Sequence, residues 1–188
     1  MNVRQFGLGA LAALVVSLAL PVSAAAGEMV DNPEYGMWSK FKAGSSVTMK
    51  MVSEAAGNKT EMEMTNTLVE INGDKAVVET KTKMTVSGNV MEMPAQKRDV
   101  PAKVEKMEPQ GEGKKPETKE SEETIEAGGQ KVKCKKTEST NEANGMTTHA
   151  TVWMCEEIPG GMAKMESTSE GSMSSKTSMI ATKWEAKK

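Results

Sequence analysis

From about position 45 onward the sequence predicts a mainly β protein, a curved antiparallel sheet or half-barrel of about eight to ten strands with one short N-terminal helix. Three observations carry that expectation. Apolar residues recur with a period of two, turns rich in glycine and asparagine interrupt the pattern at short intervals, and helical spacing of aromatic residues is confined to one stretch near the start. Connections this short cannot cross back for parallel pairing, so an antiparallel meander follows.

The first segment has its own logic. Arg4 precedes an apolar run from Gly7 to Leu20, Pro21 ends the run, and small residues from Ser23 to Gly27 follow, with Ala24-x-Ala26 placing a cut before Gly27. This is the tripartite order of a secretory signal peptide over residues 1–26. An uncleaved anchor fits less well, because 14 apolar residues fall short of the roughly 20 that cross a bilayer as a helix. No cysteine follows the small-residue cluster, which argues against a lipid-anchored form. The expectation is a single exported domain over residues 27–188, periplasmic or extracellular, with no transmembrane span after processing.

Lys and Arg number 24 and Asp and Glu 26, for a net charge of −2, which becomes −3 once Arg4 is removed. A near-neutral, mixed surface argues against a nucleic-acid partner, which would require a basic face. The apolar inventory is unusual. Past the leader the aromatics are Tyr35, Trp38, Phe41, Trp153 and Trp184, while methionine reaches 17 over the whole chain. Methionine fills irregular apolar space adaptably and defines packing less sharply than Leu or Ile.

In order along the chain, residues 31–44 read DNPEYGMWSKFKAG. Asn32 or Asp31 suits an N-cap, Pro33 the first helical position and Gly44 the stop, which predicts a helix over roughly 33–42. After Gly44, Val47, Met49 and Met51 alternate with polar residues, and Met62 and Met64 repeat the pattern before its phase slips near Asn66. Asn72-Gly73-Asp74-Lys75 is a turn, and Val78, Thr80, Thr82, Met84 and Val86 share the next strand's face. Ser87-Gly88-Asn89 turns the chain again into a strand that begins at Val90–Met93. Residues 101–120 break every periodicity with prolines, glycines and dense mixed charge, and read as one exposed loop, with a short helix around Val104–Met107 as the alternative. Strand signals resume at Glu123–Glu126, then run over Gln130–Thr140, Thr147–Glu157, Met162–Thr168 and Thr177–Trp184.

Cys134 and Cys155 predict a disulfide. Asn144-Gly145 is the strongest short hairpin signal, since a type I′ turn requires positive φ at both central residues. With those two as the loop, Ala143 opposes Met146, and nine steps outward along each strand bring Cys134 opposite Cys155. An odd number of steps from a hydrogen-bonded closing pair lands on a non-hydrogen-bonded rung, where side chains approach most closely. Export favours persistence of the bond. A redox-active pair lacks support, since there is no CxxC and no cationic or helix-start setting to lower a thiol pKa.

Catalytic and cofactor motifs are missing from the sequence. His149 is the single histidine and stands apart from any HExxH or paired Cys/His spacing, and GxSxG, P-loop and GxGxxG patterns do not occur. The expectation is a non-enzyme with no catalytic residues, no cofactor and no metal site. One pattern tempers the last of these. Met49/Met51, Met62/Met64 and Met91/Met93 are MxM pairs; on a strand, residues i and i+2 share a face, and soft thioethers prefer Cu(I). The simpler account is that methionine occupies inward positions where Val or Leu usually sits, and the unpaired Met84, Met154 and Met179 favour it.

ETIEAGG, the strand bearing Cys134, Val152-Trp153, IPGGMAKMES and the leading NPEYGMWSKFKAG together resemble a group of small exported bacterial β-proteins. More distantly they are similar to the half-barrel fold of periplasmic lipoprotein carriers. The resemblance spans roughly residues 31–185. It implies a curved antiparallel sheet with the helix near its open side, and transfers no binding residue. The leading functional expectation is an exported, non-catalytic β-protein that binds an apolar or lipid-like ligand on a Met-lined sheet face. Alternatives are a periplasmic Cu(I)-binding protein using the MxM pairs, and a structural or protein-interaction module.

Overall fold

The computed structural model describes residues 28–55, 57–86, 88–106, 117–143, 145–171 and 174–188, so the leader predicted at 1–26 lies outside the described residues. The elements run β1 (Met29–Asp31), α1 (Pro33–Trp38), β2 (Ser46–Ala55), β3 (Asn58–Ile71), β4 (Lys75–Val86), β5 (Asn89–Pro101), β6 (Lys103–Glu105), β7 (Glu117–Ala127), β8 (Gln130–Ala143), β9 (Met146–Met154), β10 (Met162–Glu170) and β11 (Ser175–Glu185). Nine strands form one antiparallel sheet in the order β5-β4-β3-β2-β11-β10-β9-β8-β7, and β1 pairs with β6 in a small separate ribbon. The predicted class therefore stands: mainly β, antiparallel, with one short helix and a sheet not closed into a barrel. The two three-residue strands take the count past the expected range, because segments that short show no periodicity.

Two meanders, β2–β5 and β7–β11, are joined where the last strand lies beside β2. Tight turns set their registers. Ala55 opposes Asn58, Val86 opposes Asn89 and Ala143 opposes Met146; Gly57, Gly88 and Gly145 have φ of 79°, 82° and 73°, a region that L side chains avoid. At the other end of β3 the Asn72 side chain accepts from the amides of Asp74 and Lys75, at 2.9 and 3.0 Å. That Asx turn confirms the Asn72–Lys75 corner.

Two expectations are corrected. The loop predicted over 101–120 is strand at both ends: Pro101 closes β5, Lys103–Glu105 is β6, and Glu117–Glu120 opens β7. Period-two apolarity is absent there because β7 is an edge strand exposed along most of its length. A continuous antiparallel ladder from Glu117–Thr140 to Ala127–Gln130 holds it to β8, and exposed ion pairs cross it at Lys133–Glu122, 2.6 Å, and Lys135–Glu120, 2.8 Å. Val104, placed in the alternative helix, is in β6, and Met107 lies outside the described residues. The helix predicted to 42 ends at Trp38. Its start is as expected, with Asn32 accepting from the Glu34 amide at 3.0 Å and Pro33 in the first turn. Its end is set by tertiary bonds: the Lys42 amide donates to the Lys187 carbonyl at 2.8 Å and the Gly44 amide to that of Leu68 at 2.7 Å.

The buried core gathers at one end of the strands. Val47 and Met49 open β2, Leu68 lies late in β3, Ala76 and Val78 open β4 and Val100 nearly closes β5. Val132 and Cys134 open β8, Trp153 lies at the end of β9, and Trp38 and Phe41 cover the group. The strand ends at Ala55 and Asn58, Val86 and Asn89, Ala143 and Met146, and Glu170 and Ser175 lie at the far end. The sheet curls strongly: the Gly128 amide, at the end of β7, donates to the Ala181 carbonyl of β11 at 2.9 Å, although three strands separate them in the sheet.

Candidate functional site

Directly opposed residues in an antiparallel pair project to the same face, so the registers trace each row across the sheet. One row reads Met165, Met179, Met51, Met62, Met84, Met91 on β10, β11, β2, β3, β4 and β5. Six adjacent strands each place a methionine on the same rung. The next rung toward the core adds Met49 opposite Met64, then Thr82 opposite Met93. All three MxM pairs and the isolated Met84 and Met179 thus belong to one stripe, together with Met165, which sequence periodicity did not single out. Met154 shares that face but lies away from the stripe, opposite Met162 and Lys135.

Within the stripe β2 and β3 form a square, with Met49 facing Met64 and Met51 facing Met62. Met49 is buried, Met51, Met62, Met64, Met84, Met165 and Met179 are half-buried, and Met91 and Met93 at the sheet edge are exposed. On the tip side the stripe is bounded by Ser167, Thr177, Ser53 and Thr60, and at its β4–β5 end by Val86 and Asn89. Ser53 and Thr177 share a hydrogen bond at 3.2 Å. On its core side lie Val47, Leu68 and Val78.

The reverse face of the same strands is charged. The rung behind the methionines reads Glu92, Lys83, Glu63, Lys50, with Lys83 and Glu92 paired at 2.9 Å. Hydrogen bonds from Lys59 and Lys50 hold the Glu61 carboxyl below the usual carboxylate range. The carboxylates of β3 therefore point away from the thioethers that alternate with them.

At β7–β9 the buried face is the other one. Trp153 opposes Lys164, which opposes Ile180, which opposes Lys50, so Trp153, Cys134 and Val132 belong to the face that is charged in β2–β5. A twist of roughly 20–25° per strand accumulates over the six steps from β4 to β8 and carries the face normal most of the way round. One core thereby touches opposite faces of one sheet. Trp153 lies between the Lys164 and Lys136 ammonium groups, at 4.6 and 5.7 Å from its ring, and donates to Glu123 at 3.0 Å.

Cys134 and Cys155 form the predicted disulfide, with Cα atoms 4.4 Å apart. The register runs unbroken from Ala143–Met146 to Lys135–Met154, so the bridge occupies the following rung. Its Cα separation is that of a non-hydrogen-bonded pair, about 4.5 Å. Both cysteines are buried, and the loop that follows packs on α1: a Cβ added at Gly160 would come within 2.9 Å of the Trp38 ring.

His149 sits exposed on β9 with Nδ1 2.9 Å from the Thr140 hydroxyl. Among the described residues no three His, Cys, Asp or Glu side chains gather as a metal group, and no helix is long and apolar enough to cross a membrane. Among the described residues, cavities open off the stripe. The first, about 590 Å³, is a polar cleft between the β2–β3 and β10–β11 tips. A second, about 600 Å³, lies beside the disulfide between Lys40, Glu122 and Lys133, and a third, about 330 Å³, sits by Gly128.

No family model and no curated protein matches the chain. Among solved structures it is similar to the crystal structure of a "putative lipoprotein from Parabacteroides distasonis ATCC 8503", at 11% identity and a TM-score of 0.44, over 77% of this chain and 96% of that one. A likeness at that level says nothing about what this chain binds.

Proposed function

We propose that the chain is an exported, non-catalytic binding protein, periplasmic or extracellular, whose methionine stripe receives an apolar, lipid-like ligand. The single observation behind this reading is the shape of the stripe: six methionines in register over six adjacent strands, half-buried through the sheet and more exposed at the β5 edge, where Met91 is 49% exposed. Five inter-strand spacings make it about 24 Å long across the sheet, while the second, partial rung makes it only two residues wide. A long, narrow apolar strip between a dry core and a mainly hydroxyl-bearing row suits one extended alkyl chain better than a bulky or globular guest. Methionine suits such a surface because its unbranched side chain reshapes around different guests. Export is supported by the leader-like order of residues 1–26 and by the buried disulfide, a bond of oxidising compartments.

The test is displacement of a dansyl-labelled fatty acid by oleate. Emission is expected to rise on adding protein and fall on adding oleate, and the double substitution Met91→Lys with Met93→Lys, at exposed positions, is expected to weaken affinity about tenfold, the equivalent of about 1.4 kcal/mol. Absence of displaceable binding, or affinity untouched by the two lysines, overturns the proposal.

A further inference from the structure

We propose that Met49, Met51, Met62 and Met64 form a site for a soft monovalent cation, Cu(I), with Ag(I) as its redox-inert equivalent. This ligand is chemically distinct from an alkyl chain, and the inference stands whether or not the stripe also binds one.

Register brings the four sulfurs together. Each of β2 and β3 carries an M-x-M pair, and the hairpin between them puts the pairs face to face, Met49 against Met64 and Met51 against Met62. Opposed Cβ atoms in such a ladder stand about 4.5–5.5 Å apart, and successive same-face residues about 7 Å apart along the strand. Four thioethers on flexible, unbranched arms therefore start close enough to close on one ion without moving the backbone.

The donor chemistry selects the ion. Thioether sulfur is soft and uncharged, which favours Cu(I) over harder divalent ions that require imidazole or carboxylate. Carboxylates are near in sequence but not in space. Glu61 and Glu63 alternate with the methionines and so project to the opposite face, where Lys50 and Lys59 engage Glu61 at 3.0 and 2.9 Å. A site with neutral ligands gains most from a single positive charge, since each further charge left uncompensated in a half-dry setting costs desolvation.

Burial supplies a floor and an entrance. Met49 is 3% exposed, while Met51, Met62 and Met64 are half-buried and open to the stripe. Met84 opposes Met62, and Met179 opposes Met51. The square therefore has a thioether neighbour on each side, leading at one edge to the exposed Met91 and Met93. A soft ion entering there meets sulfur at every strand on its way inward.

The experiment uses the processed, disulfide-bonded protein. Anaerobic Cu(I) titration against bicinchoninate is expected to show one site tighter than micromolar, with Zn(II) failing to compete. The double substitution Met62→Leu with Met64→Leu should weaken it at least tenfold while far-ultraviolet dichroism stays unchanged. Leucine preserves the apolar stripe, so the same variant should still bind a dansyl fatty acid if the wild type does, which separates the two proposals. A second measurement covers a variant that does not fold. In wild-type protein with methyl-labelled methionine, Ag(I) should shift the methyl signals of Met49, Met51, Met62 and Met64 and leave those of Met29 and Met146 in place. Affinity weaker than micromolar, affinity unchanged in a folded double variant, or Ag(I) shifts spread equally over all methionines overturns the site.

Discussion

The β2–β3 and β8–β9 hairpins are the same device with different sulfur chemistry. Each turns on a loop with a positive-φ glycine, Gly57 or Gly145, and each runs in unbroken register along its length. In β8–β9 the sulfur pair lies nine steps from the closing pair, on a non-hydrogen-bonded rung at the core end, and is covalently joined. In β2–β3 the opposed sulfurs lie four and six steps out. These even steps are hydrogen-bonded rungs, where Cα atoms stand about 5.5 Å apart. The near, dry rung suits a crosslink; the wider rungs, nearer the tip, hold sulfurs that cannot crosslink and that, apart from the buried Met49, stay partly open. Register decides which sulfurs meet, and position along the hairpin decides whether they hold the fold or remain available to a guest.

That contrast can be broken in three places. The largest effect is expected at the disulfide. Cys134→Ala with Cys155→Ala reopens a loop of 21 residues' separation, for which the chain-entropy model gives about 3 kcal/mol. Urea unfolding that moves by less than about 1 kcal/mol would show that the β8–β9 ladder and Trp153 hold the rung without the bond. The turns come next. Gly57→Ala and Gly145→Ala have open space around the added methyl, so each should cost only the backbone penalty of positive φ, about 1–2 kcal/mol. Equal costs sharpen the equivalence of the two hairpins, and a clear inequality between the two melting curves breaks it.

The smallest effect is electrostatic and belongs to the β2–β3 hairpin. Lys59 and Lys50 depress the Glu61 carboxyl. A group whose folded pKa lies below its unfolded value contributes stability above the unfolded value, near 4.5, and loses it as pH falls through the folded value. Glu61→Gln should therefore leave a slight deficit at neutral pH that shrinks below about pH 4.5. A deficit that persists in strong acid would assign it to packing.

Much of this was legible in the residues. Asn144-Gly145 fixed one register and through it the disulfide, because an asparagine–glycine loop leaves little choice of closing pair. Equivalent arithmetic at Ala56-Gly57, taking Ala55 opposite Asn58, would have set Met51 against Met62 and Met49 against Met64. Alanine does not announce a turn as asparagine does, so that register carries no sequence signal of its own. The full row was less accessible. Joining Met179 to Met51 requires the pairing of β11 with β2, which no turn connects, and the bulges between Leu68 and Glu70 and between Ala181 and Lys183 shift the phase on the way. The change of buried face between β4 and β8 is a product of accumulated twist, which leaves no trace in any single strand's alternation. The charged edge β7 was invisible for a related reason: exposed on both faces, it has no apolar period to read.

The placing of the last strand beside the first long one has a kinetic consequence. Each meander can zip from its own turns, but the seam between β2 and β11 unites residues more than a hundred positions apart, and such pairings form late and slowly. Until that seam closes, the molecule is two ribbons, each with a raw hydrogen-bonding border at the join, the kind of edge that recruits a neighbouring chain. During maturation the thioethers of β10 and β11 would be separate from those of β2–β5, and the continuous row would come into being only as the final strand settles.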